Sequence, residues 1–213
     1  MIEHWQIKSN FRIKESKHIS ARMKSVFRLH SRYSPDHRHD IQVRDLALQL
    51  FEELQTLHGL KSAEKELLEA ASLLHDVGWS ISGSKHHKHA MDLIMKHGLA
   101  GWNMREVQLI ANIARYHRKA FPLDKHPLFK SLSDGDKLIV KRLSSLLRIA
   151  DGLDRSHTNA IARICCEQGF SEIKMTLMTR GNCDAEIYGF EKKRDLFEHV
   201  FCLPIIIGNI MDV

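Results

Sequence analysis

Apolar residues recur every three to four positions along most of the chain up to about residue 158, which predicts a bundle of amphipathic helices. The first helix is expected over 18–32. The second is expected to run from Asp36 to His58, because a proline lies near its first turn and a glycine follows its end. Another helix ends close to residue 74, and three more are expected to follow the capping residues Ser84, Asn103 and Ser133.

The pattern changes in the last quarter of the chain to short alternating or β-branched segments separated by glycines. Residues 160–166, 172–178 and 184–188 predict strands of a small antiparallel sheet. A short helix is expected over 191–201 and a last strand over 203–207. The predicted fold class is therefore mainly α, a helical bundle with a small C-terminal α+β appendage.

We predict three regions, which are a polar N-terminal arm over 1–17, a helical domain over 18–158 and a small α+β subdomain over 159–213. The chain has no apolar run of about 18 residues, so a membrane is not an expected partner. The first residues lack the layout of a signal peptide, so the expected location is the cytoplasm. A small sheet has edges to cover, which leaves a homo-oligomer as an open alternative.

A histidine and an aspartate stand side by side after an apolar segment, at His75 and Asp76. A neutral imidazole and a carboxylate can ligate the same divalent ion, although a buried histidine held by a neighbouring acid is the simpler alternative. Two buried carboxylates, Asp76 and Asp151, would need a shared cation or base. Further residues of ligand type fall on the apolar faces of other predicted helices, namely His39, His86, His117 and Asp151.

Basic side chains crowd these candidate ligands, among them Lys88, Arg118 and Lys119, and the net charge is +6. Arginine binds phosphate through two parallel hydrogen bonds and lysine supplies a point charge, so a cationic rim favours a phosphate-rich substrate. A solvated helix surface is the alternative. No basic stretch is interleaved with aromatic residues, so nucleic acid is not the expected partner.

The order of His39, the pair His75-Asp76, and Asp151 on successive helices resembles the HD superfamily of metal-dependent phosphohydrolases. More specifically, it resembles the HD-type C-terminal domain of the exopolyphosphatase and guanosine pentaphosphate phosphohydrolase (Ppx/GppA) family. The resemblance covers about residues 20–160. Five ordered motifs carry it, which are Arg32-Tyr33 with His39-x3-Val43-x2-Leu46-Ala47, Leu73-Leu74-His75-Asp76-Val77-Gly78, His86-His87-Lys88-His89, Arg115-Tyr116-His117-Arg118-Lys119 and Leu147-Arg148-Ile149-Ala150-Asp151-Gly152-Leu153-Asp154-Arg155-Ser156.

The resemblance implies an HD-type helical bundle whose cofactor is one or two divalent ions of Mn, Fe, Co, Ni, Zn or Mg. Two of the implied ligands match the extra histidines of members that hold two metals, and helical phase favours His86 over His87 for one of them. The full implied ligand set is His39, His75, Asp76, His86, His117 and Asp151.

The expected function is that of a metal-dependent phosphohydrolase acting on a phosphorylated small molecule, a nucleotide or polyphosphate. Asp76 is the expected bridge between two metals, and Lys88, Arg118 and Lys119 are expected to neutralise phosphate charge during catalysis. In the Ppx/GppA family an actin-like domain precedes this domain and carries the phosphatase chemistry, whereas this sequence is expected to be a stand-alone HD-type domain. The alternative is therefore a non-catalytic regulatory module that binds polyphosphate or a nucleotide.

Overall fold

The computed structural model describes residues 20–213, so the predicted arm over 1–17 lies outside the described residues. The helices and strands follow one another in the order α1 Ala21–Tyr33, α2 His37–Glu53, α3 Gln55–His58, α4 Ser62–Leu74, a 3₁₀ turn Val77–Ser80, α5 His86–His97, α6 Met104–Arg115, α7 Pro127–Lys130, α8 Asp134–Gly152, β1 Ile161–Gln168, β2 Ile173–Thr179, α9 Asp184–Lys193, α10 Asp195–Phe201 and β3 Ile205–Asp212. The predicted fold class, mainly α with a small α+β appendage, is confirmed.

The long helix α8 lies at the centre of the fold. It packs against α2, α4 and α6 in the bundle and against α9 and α10 in the appendage. Its buried face from Val140 to Ala150 is mostly apolar, and it also buries Ser144, Ser145 and Arg148. Because α8 joins both parts of the molecule, side chains in its last turn face residues from the bundle and from the C-terminal helices.

Local capping explains most helix boundaries. The side chains of Asn103 and Ser133 accept hydrogen bonds from backbone amides in the first turns of α6 and α8, as predicted. The prediction for Ser84 is wrong, because α5 begins after Lys85, which has a left-handed backbone with φ of 59° and no capping hydrogen bond. The predicted helix up to His58 is interrupted at Leu54, which separates α2 from the short α3.

The sheet has the order β1-β2-β3 and is mixed rather than purely antiparallel. Strands β1 and β2 are antiparallel, whereas β3 runs parallel to β2, so the antiparallel prediction is wrong for the last strand. The physical reason is that α9 and α10 lie between β2 and β3 and return the chain to the start of β2.

The predicted strand over 184–188 is also wrong, since these residues form the first half of α9. The buried residues of α9 are Glu186, Gly189 and Phe190, which follow helical spacing. The amide of Asp184 donates to the side chain of Asn182, and two acidic residues lie in the first turn, where the helix dipole favours them.

Two kinds of contact between the appendage and the bundle bear on the site. Side chains of α2 satisfy the outer edge of β1, as Gln42 donates to the carbonyl of Ile161 and Gln49 accepts from the amide of Ile164. The backbones of Gly152 and Gly189 touch, and a Cβ added at Gly189 would lie 2.1 Å from the Gly152 oxygen. Helix α9 therefore lies directly against the end of α8. Among residues 20–213, no helix has the length and apolar character needed to cross a membrane.

Candidate metal centre and its cationic cavity

All six predicted ligands meet in one place, although they come from five separate segments. Their positions explain the convergence, since each lies at or near the end of a helix that points to the same region. These positions are the first turn of α2 for His39, the C-cap of α4 for His75 with Asp76 directly after it, the start of α5 for His86, the residue after the α6 cap for His117, and the last turn of α8 for Asp151.

Asp76, His86 and His117 form the first group with metal-ligand spacing. Asp76 Oδ1 lies 3.2 Å from His86 Nε2 and 3.6 Å from His117 Nε2, and the two Nε2 atoms are 3.3 Å apart. The Nδ1 atoms of both rings lie within hydrogen-bonding distance of backbone carbonyls, which can only accept. In a neutral ring the hydrogen is therefore on Nδ1, and both Nε2 lone pairs point at each other and at the carboxylate.

His39, His75 and Asp76 form the second group, so Asp76 belongs to both. His75 is fully buried beneath the cavity, and its Nδ1 donates to the carbonyl of Ser72 at 2.7 Å. His75 Nε2 therefore carries a lone pair, and it lies 3.7 Å from Asp76 Oδ2. The same orientation through a backbone carbonyl recurs in three of the four histidines of the two groups, and it is the arrangement that metal-ligating histidines use.

Two buried atoms of this centre have no hydrogen-bond partner among the described residues, namely His75 Nε2 and Asp76 Oδ1. Leaving such groups unpaired in a protein interior costs free energy, and lone pairs that converge repel one another. A divalent cation between Asp76, His86 and His117 would satisfy Asp76 Oδ1 and the facing Nε2 atoms, and one between His39, His75 and Asp76 would satisfy His75 Nε2. The donor set, imidazole nitrogen with carboxylate oxygen, fits a transition metal better than calcium.

His39 connects this centre to a second carboxylate, Asp151. Its Nδ1 lies 2.8 Å from buried Asp154 Oδ2, and its Nε2 lies 3.6 Å from Asp151 Oδ1. Burial alone lowers the pKa of His39, but the carboxylates of Asp151 and Asp154 that face its two ring nitrogens outweigh it and raise the pKa to about 10. Burial likewise opposes ionisation of Asp151, yet the adjacent cation of Lys193 and the His39 ring hold the pKa of that carboxyl well below its usual range.

A cavity of about 670 Å³ lies above the centre. Of the predicted phosphate-binding residues, Arg118 and Lys119 line it, whereas Lys88 is exposed and lies outside the lining. Arg118 lies 3.1 Å from His86 Nε2. Lys119 has a left-handed backbone with φ of 63°, and its carbonyl accepts from Arg148. Strain of this kind in a non-glycine residue is typical of functional positions.

Sequence reasoning did not single out six further lining residues as parts of the site, which are Trp79, Arg148, His157, Tyr188, Lys192 and Lys193. The last three belong to α9, where Tyr188 lies in the segment wrongly predicted as a strand and the two lysines lie in the helix predicted over 191–201. In a helix Tyr188 and Lys192 lie one turn apart on the same face. Lys192 and Arg155 both approach the ring of Tyr188, at 5.3 Å and 5.6 Å from its centre. Only a helix that includes both Tyr188 and Lys192 brings them onto one face, so a strand at Tyr188 hides their proximity.

His86 and His87 differ in their distance from the other candidate ligands. His87 belongs to neither of the two groups with ligand spacing. Burial and the nearby cations, Arg118 foremost, lower the pKa of His87 to about 4. It is therefore a neutral buried ring next to a cationic surface, whereas His86 reaches the carboxylate of Asp76.

The fold and site define a helical domain with a buried histidine and aspartate cluster that opens into a cationic cavity. Residues 21–187 match the profile of the family described as Ppx/GppA phosphatase, domain III, and the chain belongs to this family. It is 31% identical over 131 residues to the guanosine-5'-triphosphate,3'-diphosphate pyrophosphatase of Aeromonas hydrophila. The aligned residues cover 61% of this chain and 26% of that protein. It is 30% identical over 130 residues to the protein of the same name from Vibrio vulnificus, covering 61% and 25%. The chain thus matches about a quarter of the length of these relatives.

Proposed function

We propose that this chain is a metal-dependent phosphohydrolase whose histidine and aspartate cluster holds one or two divalent ions beside a phosphate-binding cavity. The observation that carries the proposal is the convergence of the Nε2 lone pairs of His75, His86 and His117 on Asp76, where His75 Nε2 and Asp76 Oδ1 have no hydrogen-bond partner among the described residues and Arg118 is a donor within reach of His86 Nε2. Such an arrangement is energetically unfavourable in a protein interior, and it suits the binding of a divalent metal ion. Membership of a phosphatase family supports the hydrolytic class.

The ligands divide into two ends that share Asp76. One end comprises His86 and His117, and the other comprises His39 and His75. Asp151 lies beside the His39 end. We assign all six as ligands, with Asp76 as the bridge when two ions bind. A divalent ion bound here supplies a water of lowered pKa and polarises a phosphoryl oxygen.

The cationic walls of the cavity hold the substrate. Arg118 lies beside His86 of the metal centre, Lys119 lines the same cavity, and Arg155 and Lys192 lie around the ring of Tyr188. These side chains compensate the negative charge of phosphate groups and stabilise the charge that develops when a phosphate ester or anhydride breaks. Lys88 acts from outside the cavity through its charge alone, so we assign it the smallest effect on phosphate binding and turnover.

The proposed substrate is phosphate-rich, a nucleotide or polyphosphate. Support comes from the number of cations in the cavity and from the names of the relatives, which act on a guanosine nucleotide carrying several phosphates. A binding module without turnover is the second candidate. It is favoured by Lys193, which already contacts Asp151 and so satisfies one end of the cluster without a metal.

The test is phosphate release from a panel of nucleotides and polyphosphate with Mn²⁺ present. Asp76→Asn should lower kcat/KM by about 100-fold or more, because it removes the shared ligand. Asp92→Asn is the matched control, since Asp92 is exposed on α5 and should leave turnover unchanged. Equal turnover in Asp76→Asn and the wild type would contradict the proposal. Tight binding of a substrate that resists chelator and occurs without turnover would favour the binding module.

A further inference from the structure

Lys193 differs from the other basic side chains of the cavity because it is paired with a carboxylate. Lys193 Nζ contacts Asp151 Oδ2 directly, and both side chains are largely buried, with 17% and 12% of their surface exposed. Its neighbour Lys192 instead lies over the ring of Tyr188. Lys193 is therefore paired with a candidate metal ligand rather than free to bind phosphate.

The fold places this lysine precisely through a glycine contact. Gly189 lies one helical turn before Lys193 on the same face of α9, and Gly152 follows Asp151 directly in α8, so the contact between the two glycines lies next to the ion pair. Any side chain at Gly189 would hold α9 away from α8. The chain thus uses two glycines to bring a lysine within reach of a buried carboxylate.

Asp151 needs a cation for two physical reasons. It lies in the last turn of the 19-residue helix α8, where the helix dipole disfavours negative charge. It is also nearly buried, and an unpaired charge in such a place is strongly destabilising. Its other oxygen faces His39 Nε2 at 3.6 Å, which is too long for a strong hydrogen bond. Lys193 supplies the missing charge.

We propose that Lys193 is an exchangeable counter-cation of Asp151, which holds this carboxylate in place until a divalent ion binds there and which must leave for the ion to enter. The inference rests on the proposed function in taking Asp151 as a ligand. Lysine suits this role, because its ammonium is a single charge on a flexible stem and can swing from α9 into the cavity. It is a positioning residue that sets metal affinity at the Asp151 end.

The test is titration of Mn²⁺ into chelator-stripped full-length protein by calorimetry, together with the rise in melting temperature that saturating Mn²⁺ causes. Lys193→Met should bind Mn²⁺ about tenfold more tightly than the wild type and show a larger rise, since its metal-free form has lost the cation that contacts the buried carboxylate of Asp151. Lys96→Met is the control matched in net charge, since Lys96 is exposed near the end of α5 and outside the cavity lining, and it should keep the wild-type Kd. Lys193→Arg keeps the ion pair and should bind Mn²⁺ no more tightly than the wild type.

The outcomes separate this inference from the proposed function. If the wild type binds Mn²⁺ and Lys193→Met binds it equally or more weakly, the counter-cation role is overturned and the metal centre stands. If Lys193→Met fails to fold, tighter binding by Lys193→Arg still overturns the role. If neither the wild type nor any variant binds Mn²⁺, Fe²⁺, Ni²⁺ or Zn²⁺, both the proposed function and the inference fail.

Discussion

Replacing Gly78 by alanine should damage the metal centre without replacing any of the six candidate ligands. Gly78 lies in the 3₁₀ turn that follows Asp76, and a Cβ there would lie 2.0 Å from the His86 oxygen and 2.4 Å from the Ala90 nitrogen. Both atoms belong to the backbone of α5, so no single side chain can yield. Ordinary contact begins at 3.4 Å, and α5 must therefore retreat by roughly 1 Å or more.

Two measurable losses follow from that shift. Overpacking against backbone should lower the free energy of unfolding by about 3 kcal/mol, which corresponds to a melting temperature about 6–12 °C lower for a chain of this size. The shift also moves His86 away from Asp76, now 3.2 Å distant, and should weaken Mn²⁺ binding by about 10- to 100-fold. Thermal melting and Mn²⁺ titration measure the two effects separately.

Gly135→Ala is the matched control. Gly135 lies in the first turn of α8, and a Cβ there meets no atom within 4 Å. Alanine should be neutral or stabilise the fold by up to about 1 kcal/mol, with an unchanged Kd for Mn²⁺. The reasoning is refuted if Gly78→Ala melts and binds Mn²⁺ as the wild type does.

Three further predictions concern pH and the Lys119 segment. In chelator-treated protein, the interaction of protonated His39 with its two carboxylates stabilises the fold fully below pH 6.5, the usual pKa of histidine, and this stabilisation is lost as the pH rises towards about 10. The unfolding free energy of His39→Gln should therefore fall less than that of the wild type across this range. Burial lowers the pKa of His58, whose ring is hydrogen-bonded as the neutral form, so the free energy of unfolding should fall as the pH falls below 6.5. Denaturant titrations should show a smaller fall in His58→Gln than in the wild type. A fall of equal size in the two proteins refutes the argument. Arg148→Gln removes the hydrogen bonds to the Lys119 carbonyl and to Asp195, so it should cost about 2 kcal/mol in urea unfolding and raise KM; an unchanged KM would mean that the Lys119 backbone does not depend on Arg148.

The helices and the buried positions of the candidate ligands could be predicted because their signals are local. His39 lies one turn before Val43, and Asp151 one turn after Leu147, so apolar spacing alone places both on inward faces. The structure does bury His39 and nearly buries Asp151. The metal itself stays a prediction, since spacing says which face a residue is on and nothing about what it binds.

Helix α9 could not be predicted from hydrophobic spacing because its buried face is not hydrophobic. Two of its three buried residues are Glu186 and Gly189. Glu186 is buried because its carboxylate accepts from the amide of Ser156, and Gly189 because it touches Gly152. Both reasons are contacts between residues distant in the sequence. For the same reason, the sequence did not show that the lysines of α9 line the cavity.

The phosphate-binding residues show the same limit. Lys88 and Lys119 are both close in sequence to candidate ligands, yet only Lys119 lines the cavity. The difference comes from the left-handed backbone of Lys119 and from Arg148, which holds its carbonyl across 29 residues of chain. The parallel direction of β3 likewise follows from the helices that precede it, and the strand pattern itself does not encode it.

The central claim is that the histidine and aspartate cluster holds a divalent metal, and metal content tests it most directly. The measurement is plasma mass spectrometry on untagged protein purified without added metal, for the wild type and for a His75→Ala/Asp76→Ala double variant. The account predicts one to two equivalents of a transition metal in the wild type and a loss of that metal in the double variant. A wild type that contains no metal and takes up none from Mn²⁺, Fe²⁺, Ni²⁺ or Zn²⁺ would contradict it.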